Sequence, residues 1–206
     1  MSDARFWDKA ARKYAASPVK DMQAYQDTLE RARHYLHPDD HLLEVGCGTG
    51  TTALILSKNV QRITATDISA TMLEIARGKQ SDQGIANVDF MQAEITKPLP
   101  DAPFDAIFAS SILHLVDDLD AALSHLFTQV KAGGYVITKT TCLKDMNVMI
   151  PPVIAVMRFF GKAPKVLVFS RSELEKAFSR AGFDVVETGY FGKEPATHFV
   201  VARRPE

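Results

Sequence analysis

LLEVGCGTG, residues 42–50, is the stretch from which the rest of the chain is read. An apolar run leads into glycines at alternate positions, Gly46, Gly48 and Gly50, with an acid, Glu44, just before them. Backbone without a Cβ turns tightly and lets a ligand come close. The stretch follows a strand pattern and opens a short helical one at 51–57, the setting in which α/β sheets bind ligands at the carboxyl ends of their strands. An ordinary glycine-rich turn shares that setting, so a second signal is needed.

Asp67 supplies it. It ends the next strand, RITATD (62–67), about 20 residues beyond the glycines, where a carboxylate accepts hydrogen bonds from both hydroxyls of a ribose. An adenosine-containing ligand becomes the favoured reading. The dinucleotide fingerprint G-x-G-x-x-G fails, because Thr51 stands at its third glycine. The phosphate-binding Walker pattern fails too, since no Lys-Ser/Thr pair follows the glycines. The pattern present is E-x-G-x-G-x-G.

Outward from this stretch, Phe6, Trp7, Ala10, Ala11 and Tyr14 recur at helical spacing, as do Tyr25, Leu29, Ala32 and Leu36 before Pro38. Two helices therefore precede the first strand, HLLEV (41–45). Downstream come a strand at 62–67, a helix opened by Ser69 as N-cap, and strands at 88–93 and 104–110. Leu119, Leu123, Leu126, Phe127 and Val130 mark another helix, and Gly133-Gly134 reads as a turn into a strand at 134–141. Residues 143–169 break the rhythm as an insertion. It returns at 170–182, where Ser170 and Glu173 make a capping-box pattern and Gly182 is placed to end the helix. Two closing strands, FDVVETGYF and THFVVARR, flank 192–196 and predict an antiparallel hairpin.

This order predicts an α/β fold: a Rossmann-like three-layer sandwich with a mostly parallel seven-stranded sheet, an antiparallel last strand and an N-terminal helical cap. One domain is expected over 1–206, with the cap at 1–40, the ligand-binding core at 41–141, the insertion at 143–169, and a C-terminal helix and hairpin at 170–206. Lys plus Arg total 24 and Asp plus Glu 25, so no basic excess points to a nucleic-acid partner. Cys47 and Cys142 lack metal-ligand or redox spacing, and no metal site is expected. The polar N-terminus lacks a signal-peptide core, and the expectation is a soluble, cytoplasmic protein.

LLEVGCGTG followed by ATDIS resembles the first two motifs of class I S-adenosylmethionine-dependent methyltransferases. DFMQAEI, FDAIFASSILHLVDD and LFTQVKAGGYVIT are similar to the later motifs in family order, and FWDKAARKYAAS to the N-terminal cap of small-molecule members. The match covers about residues 5–141. One departure is Lys131-Ala132-Gly133-Gly134, where a proline is common. The resemblance implies S-adenosylmethionine as cofactor, with S-adenosylhomocysteine as product. It places Gly46, Gly48 and Gly50 around the methionine portion, with Glu44 supporting the amino-acid end. It gives Asp67 the ribose hydroxyls, Ile68 the adenine face, Glu94 and the Ala93 backbone the adenine edge, and Ser110 the methionine part.

The sulfonium is its own leaving group, so position and dryness suffice for much of the catalysis. Two residues are candidates at the transfer point. His114 is either a base or substrate contact, or an imidazole packed beneath the glycine loop. Tyr14 either closes over the methionine end or the acceptor, or is buried with Phe6 and Trp7. Tyr190 and His198 are read as structural. The insertion, rich in Met and Phe, is read first as a lid over the acceptor, second as core, and third as peripheral membrane contact through 148–160.

The expected function is methyl transfer to a small, fairly apolar acceptor, without metal. A non-catalytic S-adenosylmethionine-binding regulatory module is the alternative, as is action on a lipid, a quinone or a protein. The residues SSIL, where amino-methylating enzymes of DNA and protein glutamine carry an Asn/Asp-Pro-Pro-aromatic motif, argue against those types. The oligomeric state is open.

Overall fold

The apolar run that precedes the glycines is a central strand. β1 (His41–Val45) is flanked by β2 (Arg62–Asp67) and β4 (Phe104–Ser110), and its Leu42, Leu43, Glu44 and Val45 are all buried. The computed structural model describes residues 4–192 and 197–206. Two helices, α1 (Ala4–Ala16) and α2 (Met22–Arg33), precede β1. After the glycines come α3 (Thr51–Leu56), β2, α4 (Ala70–Gln83), β3 (Val88–Gln92), β4, α5 (Leu119–Gln129) and β5 (Val130–Thr141). The chain closes with α6 (Ile150–Phe159), α7 (Arg171–Arg180), β6 (Asp184–Gly189) and β7 (Thr197–Arg203).

The sheet has seven strands in the order β3-β2-β1-β4-β5-β7-β6. Its first five strands run parallel, and β7 is antiparallel to both β5 and β6. The predicted hairpin strands pair as expected, while 193–196 within the predicted loop lie outside the described residues. Two cores cover the two faces of the sheet. Leu42, Ile63, Ala65 and Phe108 face α2, α3 and α4, whereas Leu43, Val45, Ile107 and Ala109 face α5 and α7. This is the period-two alternation of strands covered by helices on both sides.

Local signals behave as their chemistry dictates. Ser69 caps α4 by accepting from the Met72 N–H, and Ser170 with Glu173 forms a complete capping box on α7. The pair Gly133-Gly134 departs from the expectation of a turn. β5 already starts at Val130, and its register to β4 shifts between Phe104 and Ala106. Gly133 adopts φ +77°, and a Cβ on Gly134 would lie 2.5 Å from the Asp105 carbonyl oxygen. The two glycines therefore make a bulge inside a longer strand, at a point of close backbone approach.

Gly50 shows why the third glycine of the opening stretch is there. It is the N-cap of α3 at φ +74°, and a Cβ on it would lie 2.7 Å from both Ala76 Cβ and Phe90 Cζ. Gly50→Ala combines a left-handed backbone penalty with overpacking, and should lower stability by about 2–4 kcal/mol. A fall in the urea midpoint at unchanged slope would show it; an unchanged midpoint would contradict this packing role.

Candidate active site

Strand order reverses beside β1, with β2 on one side and β4 on the other, and ligands of such sheets bind at that switch. Two cavities open there. One, of about 410 Å³, is lined by Trp7, Asp67, Ile68, Glu94, Ile112 and His114 among others. The other, of about 960 Å³, is lined by Tyr25, Thr28, Glu44, Phe108, Lys139 and Phe191 among others. Tyr14, Gly46, Gly48, Ser110 and Ser111 line both. The cavities therefore meet at the glycine loop and at the end of β4.

Asp67 organises the smaller cavity. One carboxylate oxygen accepts from the Gly48 N–H and the other from the Ser69 N–H, both at 2.9 Å. Burial raises its pKa, against the opposing pull of these amide donors. Each oxygen keeps a lone pair for a further donor. The N-terminal helix is tied to the same place. Asp8 Oδ1 accepts from Ser69 Oγ at 2.6 Å and from the Thr71 N–H at 3.2 Å, so α1 rests on the start of α4 and carries Trp7 and Tyr14 to the cavity.

Only one of the three glycines leaves space for a ligand. A Cβ on Gly46 would lie 2.8 Å from Ile112, and Gly50 is packed as described. At Gly48 a Cβ would meet nothing nearer than Tyr14 Cε1 at 3.8 Å. Gly50 lines neither cavity, whereas Gly46 and Gly48 line both.

Glu44 is 3% exposed, and its Oε2 has no hydrogen-bond partner among the described residues. Burial first, and the negative charge of Asp67 second, push its pKa up to about 8. It is thus a largely neutral acid at pH 7, set in the wall of the larger cavity. A buried oxygen of this kind is satisfied by a donor from the cavity, and a cationic donor suits it best.

Of the other expected site residues, Ile68, Ala93, Glu94, Ser110 and His114 all line the smaller cavity. His114 has its pKa pushed down to about 4 by burial, and its Nδ1 is buried without a partner among the described residues. Its imidazole is neutral at pH 7. Tyr14 is half exposed, stacks edge-on against Trp7, and lies between the cavities. Burial, with Asp67 and Glu44 behind it, raises the Tyr14 phenol. His198 is buried with its Nε2 2.7 Å from Glu175, away from both cavities. Cys47 is a buried loop residue with a raised pKa, and burial pushes Cys142 up to about 12, so neither is a ready thiolate.

Sequence reasoning missed several residues. Ser111 adopts φ +57°, unusual without glycine, and its N–H donates to the Lys139 carbonyl at 2.7 Å. Lys139 reaches from β5 to α2, donating to Thr28 Oγ1 at 3.0 Å and to the Ala24 carbonyl at 3.4 Å. Burial lowers its pKa. The available signal was a lysine inside the strand VITKTT. Pro164, Lys165 and Val166, at the end of the insertion read as a lid, complete the smaller cavity; the sequence singled out the insertion but not these three as its lining residues. Among the described residues, no group of three or more His, Cys, Asp or Glu is placed to hold a metal ion.

Residues 43–138 match the family model described as a methyltransferase domain. A malonyl-[acyl-carrier protein] O-methyltransferase of Serratia marcescens is 36% identical over 104 residues, 50% of this chain and 39% of that protein. A ubiquinone/menaquinone biosynthesis C-methyltransferase of Xanthomonas campestris is 34% identical over 102 residues, 47% of this chain and 40% of that protein. The chain thus spans less than half the length of these relatives. The crystal structure of geranyl diphosphate C-methyltransferase from Streptomyces coelicolor has the same fold, with a TM-score of 0.76 at 15% identity over 98% of this chain and 96% of that one. Residues 43–138 are thus similar to a methyltransferase domain, and the chain as a whole shares the fold of a methyltransferase of known structure.

Proposed function

We propose that the protein transfers the methyl group of S-adenosylmethionine to a small, fairly apolar acceptor. The observation that carries this reading is the pair of cavities meeting at Gly46, Gly48 and Ser110, with a ribose-type carboxylate in one and an unsatisfied buried acid in the other. When bound, S-adenosylmethionine would supply a sulfonium methyl: an acceptor atom would bond to the methyl carbon in line as the carbon–sulfur bond breaks, with neutral S-adenosylhomocysteine as the leaving group.

The chain's own groups fit that cofactor. Asp67 keeps lone pairs for ribose hydroxyls, and Ile68 with Met72 and Ile95 gives an apolar bed for adenine beside the exposed Glu94. Glu44 Oε2 suits an ammonium at the amino-acid end. The open side of Gly48 admits the chain between them. The larger cavity would take the acceptor, with Tyr25, Phe108 and Phe191 offering apolar surface and Thr28 and Lys139 offering polar anchorage. His114, neutral at pH 7, lines the smaller cavity and would serve as a base only for an acceptor that reaches past the shared wall at Ser110 and Ser111. The role of these groups is to orient both reactants and exclude water. Two buried free thiols fit a reducing, cytoplasmic setting.

Methyl-labelled S-adenosylmethionine, incubated with the protein and a host extract, tests the reading. Label should enter the organic-soluble or small polar fraction. Label in protein or nucleic acid would overturn the acceptor class, and binding without any transfer would favour a regulatory module.

Asp67→Asn keeps a carbonyl for one backbone N–H but turns a donor toward the ribose position. Affinity for S-adenosylmethionine should fall about 10- to 100-fold by calorimetric titration. Unchanged affinity would remove the ribose assignment.

Glu44 also predicts a proton linkage. Its pKa near 8 leaves it protonated at pH 7, and an ammonium brought beside it favours the carboxylate. Binding should therefore release a proton, seen as a binding heat that varies with buffer ionisation enthalpy at pH 7. In Glu44→Gln that variation should shrink markedly; if it persists unchanged, the proton comes from another group.

A further inference from the structure

No residue of α6 is buried, although the helix and its flanks are among the most apolar stretches of the chain. Phe159 is 85% exposed, Phe160 67% and Val148 82%. Met149, Val153, Val156 and Phe160 follow one another at steps of four, three and four residues, so they share one stripe. Ile150, Pro151 and Ile154 are less exposed and lie on the opposite side. The helix thus turns its weaker apolar face to the protein and its stronger one to solvent. Neither cavity is lined by α6.

Charge says what such a stripe would meet. No Asp or Glu occurs between Asp145 and Glu173, while Arg158, Lys162, Lys165 and Arg171 do; of these, Lys165 pairs with Asp117 and Arg171 with Asp145. Arg158 and Lys162 stand at the carboxyl end of α6, next to the two phenylalanines. An exposed apolar helix whose end carries two phenylalanines between Arg158 and Lys162 matches the boundary between acyl chains and anionic headgroups, where Arg and Lys keep their charge in water over a buried stem. A helix of this length extends only about 15 Å. That is short for a stable protein interface, which needs about 800 Å² per partner, but enough to embed one apolar face at a bilayer surface. No helix among the described residues is long and apolar enough to cross a membrane, so contact of this kind would be peripheral.

We propose that α6 docks the protein on an anionic lipid bilayer, with Phe159 and Phe160 inserted and Arg158 and Lys162 at the headgroups. Pro164, Lys165 and Val166, which follow α6, form part of the smaller cavity wall, so docking brings the cavity region near the lipid. The inference does not rest on the methyl-transfer reading.

Flotation with vesicles tests it directly. The protein should float with phosphatidylcholine vesicles containing roughly one-third phosphatidylglycerol, far less with phosphatidylcholine alone, and less again at about 1 M salt. Phe159→Asp with Phe160→Asp should lower the bound fraction at least about tenfold, since each change removes an inserted ring and adds a repelled charge. Arg158→Glu with Lys162→Glu should erase the preference for anionic lipid. All four positions lie outside both cavities, so thermal melting and the S-adenosylmethionine titration should stay as in the parent protein and show that the variants fold. Absence of flotation with anionic vesicles would overturn the proposal, as would flotation indifferent to both variants. Self-association abolished by the Asp variant, without vesicle binding, would assign the stripe to a second copy instead.

Discussion

The site hangs on one carboxylate. Asp67 sits at the end of β2, yet its oxygens hold the backbone of the loop after β1 and of the loop after β2 itself. Through Ser69 that grip passes to Asp8, which anchors α1 across the cavity mouth. Three pieces of chain far apart in sequence thus converge on one point. A carboxylate can do this because it accepts from several donors at once and concentrates charge where amide N–H groups converge. The same convergence holds it partly buried, which tends to raise its pKa.

Electrostatics then divide the site. The charge of Asp67 disfavours ionisation of Glu44, on which burial also falls hardest. One acid sits among backbone donors that oppose the upward pull of burial, while its neighbour is held neutral in a drier wall. His114 and Lys139 are shifted in the opposite direction by burial, toward their neutral forms. A ligand with complementary charge would draw these groups back toward their ionised forms.

Much of this was legible in the sequence, and the reasons are specific. Glycines at alternate positions, an acid ending the next strand, a serine opening α4 and a capping box on α7 each report local backbone chemistry, which sequence encodes directly. The paired role of Gly133 and Gly134 was less legible, because a turn and a bulge ask for the same residue type and only register separates them. Lys139 and Ser111 were missed for a different reason. Their significance comes from β5 lying beside β4 and from α2 crossing above, which are facts of topology rather than pattern. The insertion was seen as irregular, but which side of its helix faces water depends on packing that no local signal records.

Gly46 carries a further consequence. Its missing side chain is occupied by Ile112, whose atoms lie 2.8 Å from where a Cβ would stand. Position 46 closes β1 and position 112 follows β4, so two strand ends share a single small volume. A side chain at 46 therefore needs room given up at 112. Room at 112 is still not enough to admit alanine at 46, because the backbone there is left-handed at φ +68°; steric room and backbone handedness hold the glycine by two independent constraints.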